Sequence, residues 1–147
     1  RGADADTARE VAEECLCLGR LEGMADNLAG GLPTGYKKRL EMARALATKP
    51  SLLMLDEAMA GLTTTEIRDS IEIIRGLKKG GITLLVVEHI MEAVMSIADK
   101  VVVLDSGVKI AEGTPQQIVE DEKVITAYLG AKFTERMKRT GGVTRND

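Results

Sequence analysis

Aromatic residues make up only 2% of this 147-residue chain, with no tryptophan, one phenylalanine and two tyrosines. Binders of single-stranded nucleic acid need aromatic faces on which bases stack, so that class is excluded. A basic surface is missing as well. Twenty Lys and Arg against 23 Asp and Glu leave a formal charge of -3, the wrong sign for a nucleic-acid module. No apolar run approaches the roughly 20 residues needed to span a bilayer. Cysteine is confined to Cys15 and Cys17, a spacing poor for a mutual disulfide and short of partners for a metal site. The expectation is two reduced, partly buried thiols on different faces of a helix in a cytosolic protein. Histidine occurs once, as His89, and no Gly-x-x-x-x-Gly-Lys-Ser/Thr stretch occurs at all.

What remains is 44% hydrophobic and 29% charged, the balance of a globular protein whose length suits one domain. The start, Arg1 to Asp6, is polar and acidic, which predicts no signal peptide. A first residue other than Met predicts a piece of a longer protein.

The chain is organised around Ser51 to Leu62. Four apolar residues, Leu52 to Leu55, stop at two adjacent carboxylates, Asp56 and Glu57, and the small-residue turn Ala60-Gly61 follows. A short apolar run after Pro50 predicts a buried strand. Ligands of open α/β sheets bind beyond the carboxyl ends of the strands, where this acid pair falls. One carboxylate holding Mg²⁺ while its neighbour polarises a water is the chemistry that suits it. Taken alone, the pair reads sooner as the solvated end of an ordinary strand, since such strings are short and common; its context reverses that.

Upstream, Thr7 and Glu10 match a capping box, and Val11, Ala12, Cys15 and Leu16 recur at helical spacing up to a stop at Gly19. A Gly-containing loop then feeds a helix over 37–47, with Leu40, Ala43, Leu46 and Ala47 as its apolar stripe. Free N–H groups and the helix dipole make such a junction an anion site. Downstream, Thr63 and Glu66 offer a second capping box, and Ile67, Ile71, Ile74 and Leu77 mark one face of a helix ending at 78–81. Residues 82–87 form a second buried-type strand ending at Glu88 and His89. Strand, helix, strand predicts a parallel pair with a crossover, so Glu57 and His89 leave the sheet at the same edge. An imidazole there can hydrogen-bond a terminal phosphate oxygen. A short helix over 90–98, a hairpin over 100–112 turning at Ser106-Gly107, and a cap at Thr114 with Pro115 at N1 and Gln117 at N3 complete the pattern. Helical segments end at Gly130, and the charged tail over 132–147 is expected to be disordered.

In this order the pieces resemble the C-terminal part of the ATP-binding subunit of ABC transporters, branched-chain amino-acid uptake ATPases above all. The resemblance covers roughly residues 7–131. Leu32-Pro33-Thr34-Gly35-Tyr36 stands in the place of the signature loop, and Leu52 to Glu57 is similar to the Walker B strand with its glutamate. Ala60 to Thr63 stands where the D-loop lies, and Val87-Glu88-His89 is similar to the switch-histidine loop. Gly113 to Ile118 and Ala127 to Gly130 are similar to the subfamily's C-terminal region. The resemblance implies an α/β fold: an incomplete P-loop NTPase (RecA-like) sheet with parallel strands, flanking helices and part of the ABC helical subdomain. It divides the chain into a helical remainder over 1–48, core over 49–131 and tail over 132–147.

The resemblance also implies roles. Asp56 would hold Mg²⁺ through water, Glu57 would orient or activate the attacking water, and His89 would contact the γ-phosphate of ATP. Residues Leu32 to Tyr36, with Thr63, would serve the ATP of the opposite subunit in a head-to-tail dimer. Partners implied are a second ATPase subunit, transmembrane permease subunits and, indirectly, a solute-binding protein, at the cytoplasmic face of the membrane. Nucleic acid is not among them. Pro33 replaces the usual serine, Thr34 and Tyr36 replace smaller or glutamine-like residues, Ala58 replaces proline, and Thr63 replaces Asp or Asn. Tyr36 puts a ring where close approach to phosphate is expected. The missing P-loop predicts a chain that is truncated and inactive alone. It also predicts a sheet left open between the strands at 82–87 and 100–105, and hence marginal stability, association or rearrangement. Alternatives are a non-catalytic regulatory or assembly module, or a lipopolysaccharide-export ATPase.

Overall fold

The structure is a computed structural model that describes residues 4–129. The chain divides into two compact units, Arg1–Ile97 and Ala98–Asp147, where length alone suggested one domain.

The first unit contains α1 (Ala5–Leu18), two short 3-10 turns, α2 (Thr34–Leu46), β1 (Leu52–Asp56), α3 (Thr64–Lys79), β2 (Thr83–Val87) and α4 (Met91–Ile97). β1 and β2 pair in parallel with register Leu53↔Leu84, Leu55↔Val86 and Asp56↔Val87. Period-two alternation turns Leu53 and Leu55 inward. There they join a core with Met42 and Leu46 of α2, Ile71, Ile74 and Leu77 of α3, and Ala93 and Ile97 of α4. The other face carries Leu52, Met54, Leu85 and Val87, each at least half exposed. Both strands were expected to be buried on both faces, as parallel strands usually are. Only one face is covered among the described residues.

Helix boundaries follow local hydrogen bonding. α1 starts two residues before the proposed Thr7 cap, because the Asp4 carboxylate accepts the Thr7 N–H at 2.8 Å and takes the cap itself. That bond holds the Asp4 carboxyl below its ordinary range. The expected stop at Gly19 is observed. α2 begins at Thr34 rather than Lys37, with Pro33 at its N-cap, so three residues of the proposed loop lie in its first turn. Its buried residues are Gly35, Arg39, Met42, Ala43 and Leu46; Leu40 is half-buried and Ala47 exposed, a rotation of the predicted stripe. The Thr63–Glu66 capping box is present, and α3 ends on Gly80. Both cysteines are free. Cys15 is buried, whereas Cys17 is exposed and its thiol is pushed up by hydrogen bonding to Glu22.

The second unit is the predicted hairpin, β3 (Val101–Asp105) antiparallel to β4 (Val108–Gly113), followed by α5 (Pro115–Glu120) and α6 (Glu122–Leu129). Ser106 (φ 50°) and Gly107 (φ 81°) are both left-handed, the two-residue turn whose twist suits adjacent strands. The Thr114–Gln117 capping box with Pro115 at N1 forms as expected. Gly130 and the tail lie outside the described residues. No helix among the described residues is long and apolar enough to cross a membrane.

The hairpin is tied by Glu112, which pairs with Lys100 and, at 2.7 Å, with Lys109. These two ammonium groups pull the Glu112 carboxyl from 4.5 to about 2. A depressed folded pKa contributes stability above the unfolded value and loses it as pH falls through the folded one. Acid titration followed by the amide signals of this unit should therefore show a component lost between pH 4.5 and about 2. Glu112→Gln should remove that component; an unchanged acid profile would contradict the pairing.

Candidate functional site

The parallel register decides where the proposed catalytic groups lie. Asp56 shares the parity of Leu52 and Met54 and is exposed on the uncovered face at the strand end. Glu57 follows, its N–H donating to the Val87 carbonyl at 2.9 Å and extending the pairing by one bond. By parity Glu57 should point inward with Leu53 and Leu55. Its backbone is instead left-handed, φ 45°, a conformation costing a non-glycine residue about 1–2 kcal/mol. The reversal leaves the side chain 61% exposed and facing His89, with Oε1 3.7 Å from His89 Nδ1. That pair is an ion pair only when the imidazole is protonated.

The turn after Glu57 is anchored on three sides. Met59 is fully buried in the core. The Glu57 carbonyl accepts from Ala60 N at 3.1 Å and from Lys38 Nζ at 3.5 Å. The Met59 N–H donates to Glu88 Oε1 at 2.8 Å. Gly61, at φ 77°, closes the turn before α3. Sequence reasoning passed over both Lys38 and Glu88. Lys38 lies outside the apolar stripe predicted for its helix. Glu88 carried a usable signal: it has the inward parity of Leu84 and Val86, and a carboxylate at an inward position must have partners.

The junction proposed as the signature loop is Leu32 to Tyr36. Leu32 is buried and Pro33 and Thr34 are exposed. Pro33 provides no side-chain hydrogen bond to α2, in contrast to the threonines that cap α3 and α5. The first N–H groups of α2 therefore have no side-chain cap, the condition under which a helix N-terminus takes an anion. Tyr36 is half-buried against the core, with its ring under the Arg39 guanidinium at 5.5 Å. Arg39 is itself buried and bonds Asp69 of α3 at 2.8 Å. Gly35 is pressed against the same helix. A Cβ there would land on Glu66 Oε1, with Cδ at 2.9 Å. Glu66 cannot easily retreat, because Oε2 accepts from both Thr63 N and Thr63 Oγ1 at 2.8 Å. These bonds also hold the Glu66 carboxyl low. Thr63, the proposed D-loop residue, thus has its hydroxyl committed to the cap of α3.

Asp56 and Lys38 line a cleft of about 170 Å³ between α2 and β1, below the roughly 300–1,000 Å³ of ligand pockets. No group of three or more His, Cys, Asp or Glu side chains able to hold a metal occurs among the described residues. Asp56 alone suits Mg²⁺ only in the way that ion is commonly bound, by one or two carboxylates together with substrate phosphates.

Known proteins resemble this chain in sequence and in fold. The family model described as "Branched-chain amino acid ATP-binding cassette transporter" matches residues 108–134. The high-affinity branched-chain amino acid transport ATP-binding protein BraF of Pseudomonas aeruginosa is 44% identical over 124 residues, 84% of this chain and 49% of BraF. The lipopolysaccharide export system ATP-binding protein LptB of Haemophilus influenzae is 34% identical over 125 residues, 85% of this chain and 52% of LptB. A solved structure described as the ADP conformation of MJ1267, an ATP-binding cassette of an ABC transporter, superposes with a TM-score of 0.78 at 32% identity. It is matched over 87% of this chain and 52% of its own. The chain spans about half the length of the curated relatives it matches.

The packing of Gly35 is open to test. Gly35→Ala should cost about 1–2 kcal/mol in urea denaturation through loss of the α3 cap, and next to nothing more in a Glu66→Ala background. Additive losses would show that the two residues do not meet.

Proposed function

This chain belongs to the family of ABC transporter ATP-binding proteins, and on that premise we propose that it is the C-terminal part of the ATP-hydrolysing subunit of an importer for branched-chain amino acids or a related small polar solute. The observation that carries the reading is the approach of Glu57 and His89 to 3.7 Å at the end of two parallel strands. Glu57 orients the attacking water and accepts its proton. His89 donates a hydrogen bond to the γ-phosphate as charge develops there. Asp56 would hold Mg²⁺ through water, and the ion would supply charge neutralisation to the nucleotide phosphates. The uncapped N–H groups at Thr34, Gly35 and Tyr36, with Leu32 and Pro33 before them and Thr63 at the adjoining start of α3, serve the nucleotide of a second, head-to-tail ATPase subunit.

In this reading residues 1–48 belong to a helical subdomain and 49–131 to the ATPase core. The subunit sits on the cytoplasmic face of the membrane against permease subunits, which a solute-binding protein supplies. The similarity to BraF exceeds that to LptB, and the matched family model is of the branched-chain amino acid type, which favours import over lipopolysaccharide export. The phosphate cradle is absent from this sequence, so the chain alone neither binds ATP tightly nor turns it over.

Co-expression with the part of BraF that this chain does not match tests the proposal. The chain alone should show no Mg·ATP hydrolysis, and the reconstituted pair should hydrolyse. Glu57→Gln should lower turnover of the pair by about 10²–10⁴, and His89→Ala by about 10²–10³. Hydrolysis by the chain alone that vanishes with Glu57→Gln would falsify the claim of inactivity. A pair that forms and binds ATP without turnover points instead to a non-catalytic module.

A further inference from the structure

Glu88 stands out because its side chain is 0% exposed and yet carries a carboxylate. Burying such a group is costly unless its oxygens are hydrogen-bonded. Its two oxygens reach two different segments. Oε1 accepts the Met59 N–H at 2.8 Å, across from the end of β1, and Oε2 accepts the His89 N–H at 3.3 Å. The same Oε2 lies 3.9 Å from His89 Nδ1. One buried carboxylate thus bridges the turn that carries Glu57 to the backbone that carries His89.

We propose that Glu88 is a positioning residue that locks the 57–62 turn to the His89 backbone and so holds Glu57 and His89 within reach of a common phosphate. Three features argue for it. The Glu57 backbone is left-handed, and a strained conformation persists only where its surroundings over-determine it. Met59 supplies an anchor on the core side of the turn, and its N–H is the polar group that burial would otherwise orphan. A carboxylate is the side chain that accepts at both oxygens. In Glu88→Gln one of the two positions becomes an NH₂ donor facing an N–H donor, so the bridge loses one of its ends. Glu88→Asp keeps both acceptors on a shorter arm.

The importance of the clamp for catalysis rests on the ATPase reading above; its existence does not. In the isotopically labelled full chain, a scalar coupling across the hydrogen bond should connect the Met59 amide nitrogen to the Glu88 carboxyl carbon. Its absence overturns the clamp whatever the variants do. In Glu88→Gln, amide exchange at Met59 should accelerate by more than about tenfold relative to Ile74 in the same chain. The core truncation Ile74→Ala should show no such selective change at Met59 relative to Leu77. Equal acceleration in both variants reduces Glu88 to a general stabiliser and overturns the proposal. In the reconstituted pair, Glu88→Gln should lower kcat by about tenfold or more while KM for ATP stays within about twofold, with Glu88→Asp recovering part of the loss. An unchanged kcat overturns the positioning role. A wild-type pair that never hydrolyses sinks the ATPase reading and leaves the clamp to the magnetic-resonance result.

Discussion

The parallel hydrogen-bonded register of β1 and β2 is the constraint on which the site depends. Because Asp56 pairs with Val87, the residues that follow each strand leave the sheet together. The bond from the Glu57 N–H to the Val87 carbonyl prolongs that pairing into the turn. Side-chain period in a strand is two, so a slip of one residue would move Leu53 and Leu55 out of the core and separate the acid pair from the imidazole. Core packing against α2, α3 and α4 therefore fixes the position of chemistry that lies wholly outside the core.

A second organising feature is the meeting of the N-terminal ends of α2 and α3. Arg39 pairs with Asp69, and Gly35 lies on the Glu66 carboxylate that caps α3. The two helix starts are joined but end differently. α3 satisfies its own N–H groups through Thr63 and Glu66, while α2 begins on a proline with no side-chain cap. Within one unit, one helix start is closed by its own side chains and the other has no side-chain cap.

Much of this was legible in the residue pattern. Helical spacing of isoleucines, the Thr63 and Thr114 caps, the Ser106-Gly107 turn and the order strand, helix, strand each have a local cause, and each appears where expected. Boundaries were less secure where two local bonds competed. Asp4 outbid Thr7 for the start of α1, and the proline drew α2 three residues earlier than the lysines suggested. Burial was misjudged where it depends on what lies across from an element. Leu52, Met54, Leu85 and Val87 look like core residues in a string but stand on an uncovered face. Arg39, absent from the predicted apolar stripe of α2, is buried where Asp69 and Tyr36 receive it. In the site, the proximity of Glu57 and His89 followed from topology alone. The left-handed turn at Glu57 and the buried bridge of Glu88 did not, since both arise from contacts between segments some thirty residues apart.

The register itself is directly measurable. Nuclear Overhauser spectra of the labelled chain should show parallel interstrand contacts linking Leu53 with Leu84, Leu55 with Val86 and Asp56 with Val87, together with side-chain contacts between Glu57 and His89. An antiparallel pattern, or pairing displaced by one residue, would place those two side chains apart and contradict the account at its root.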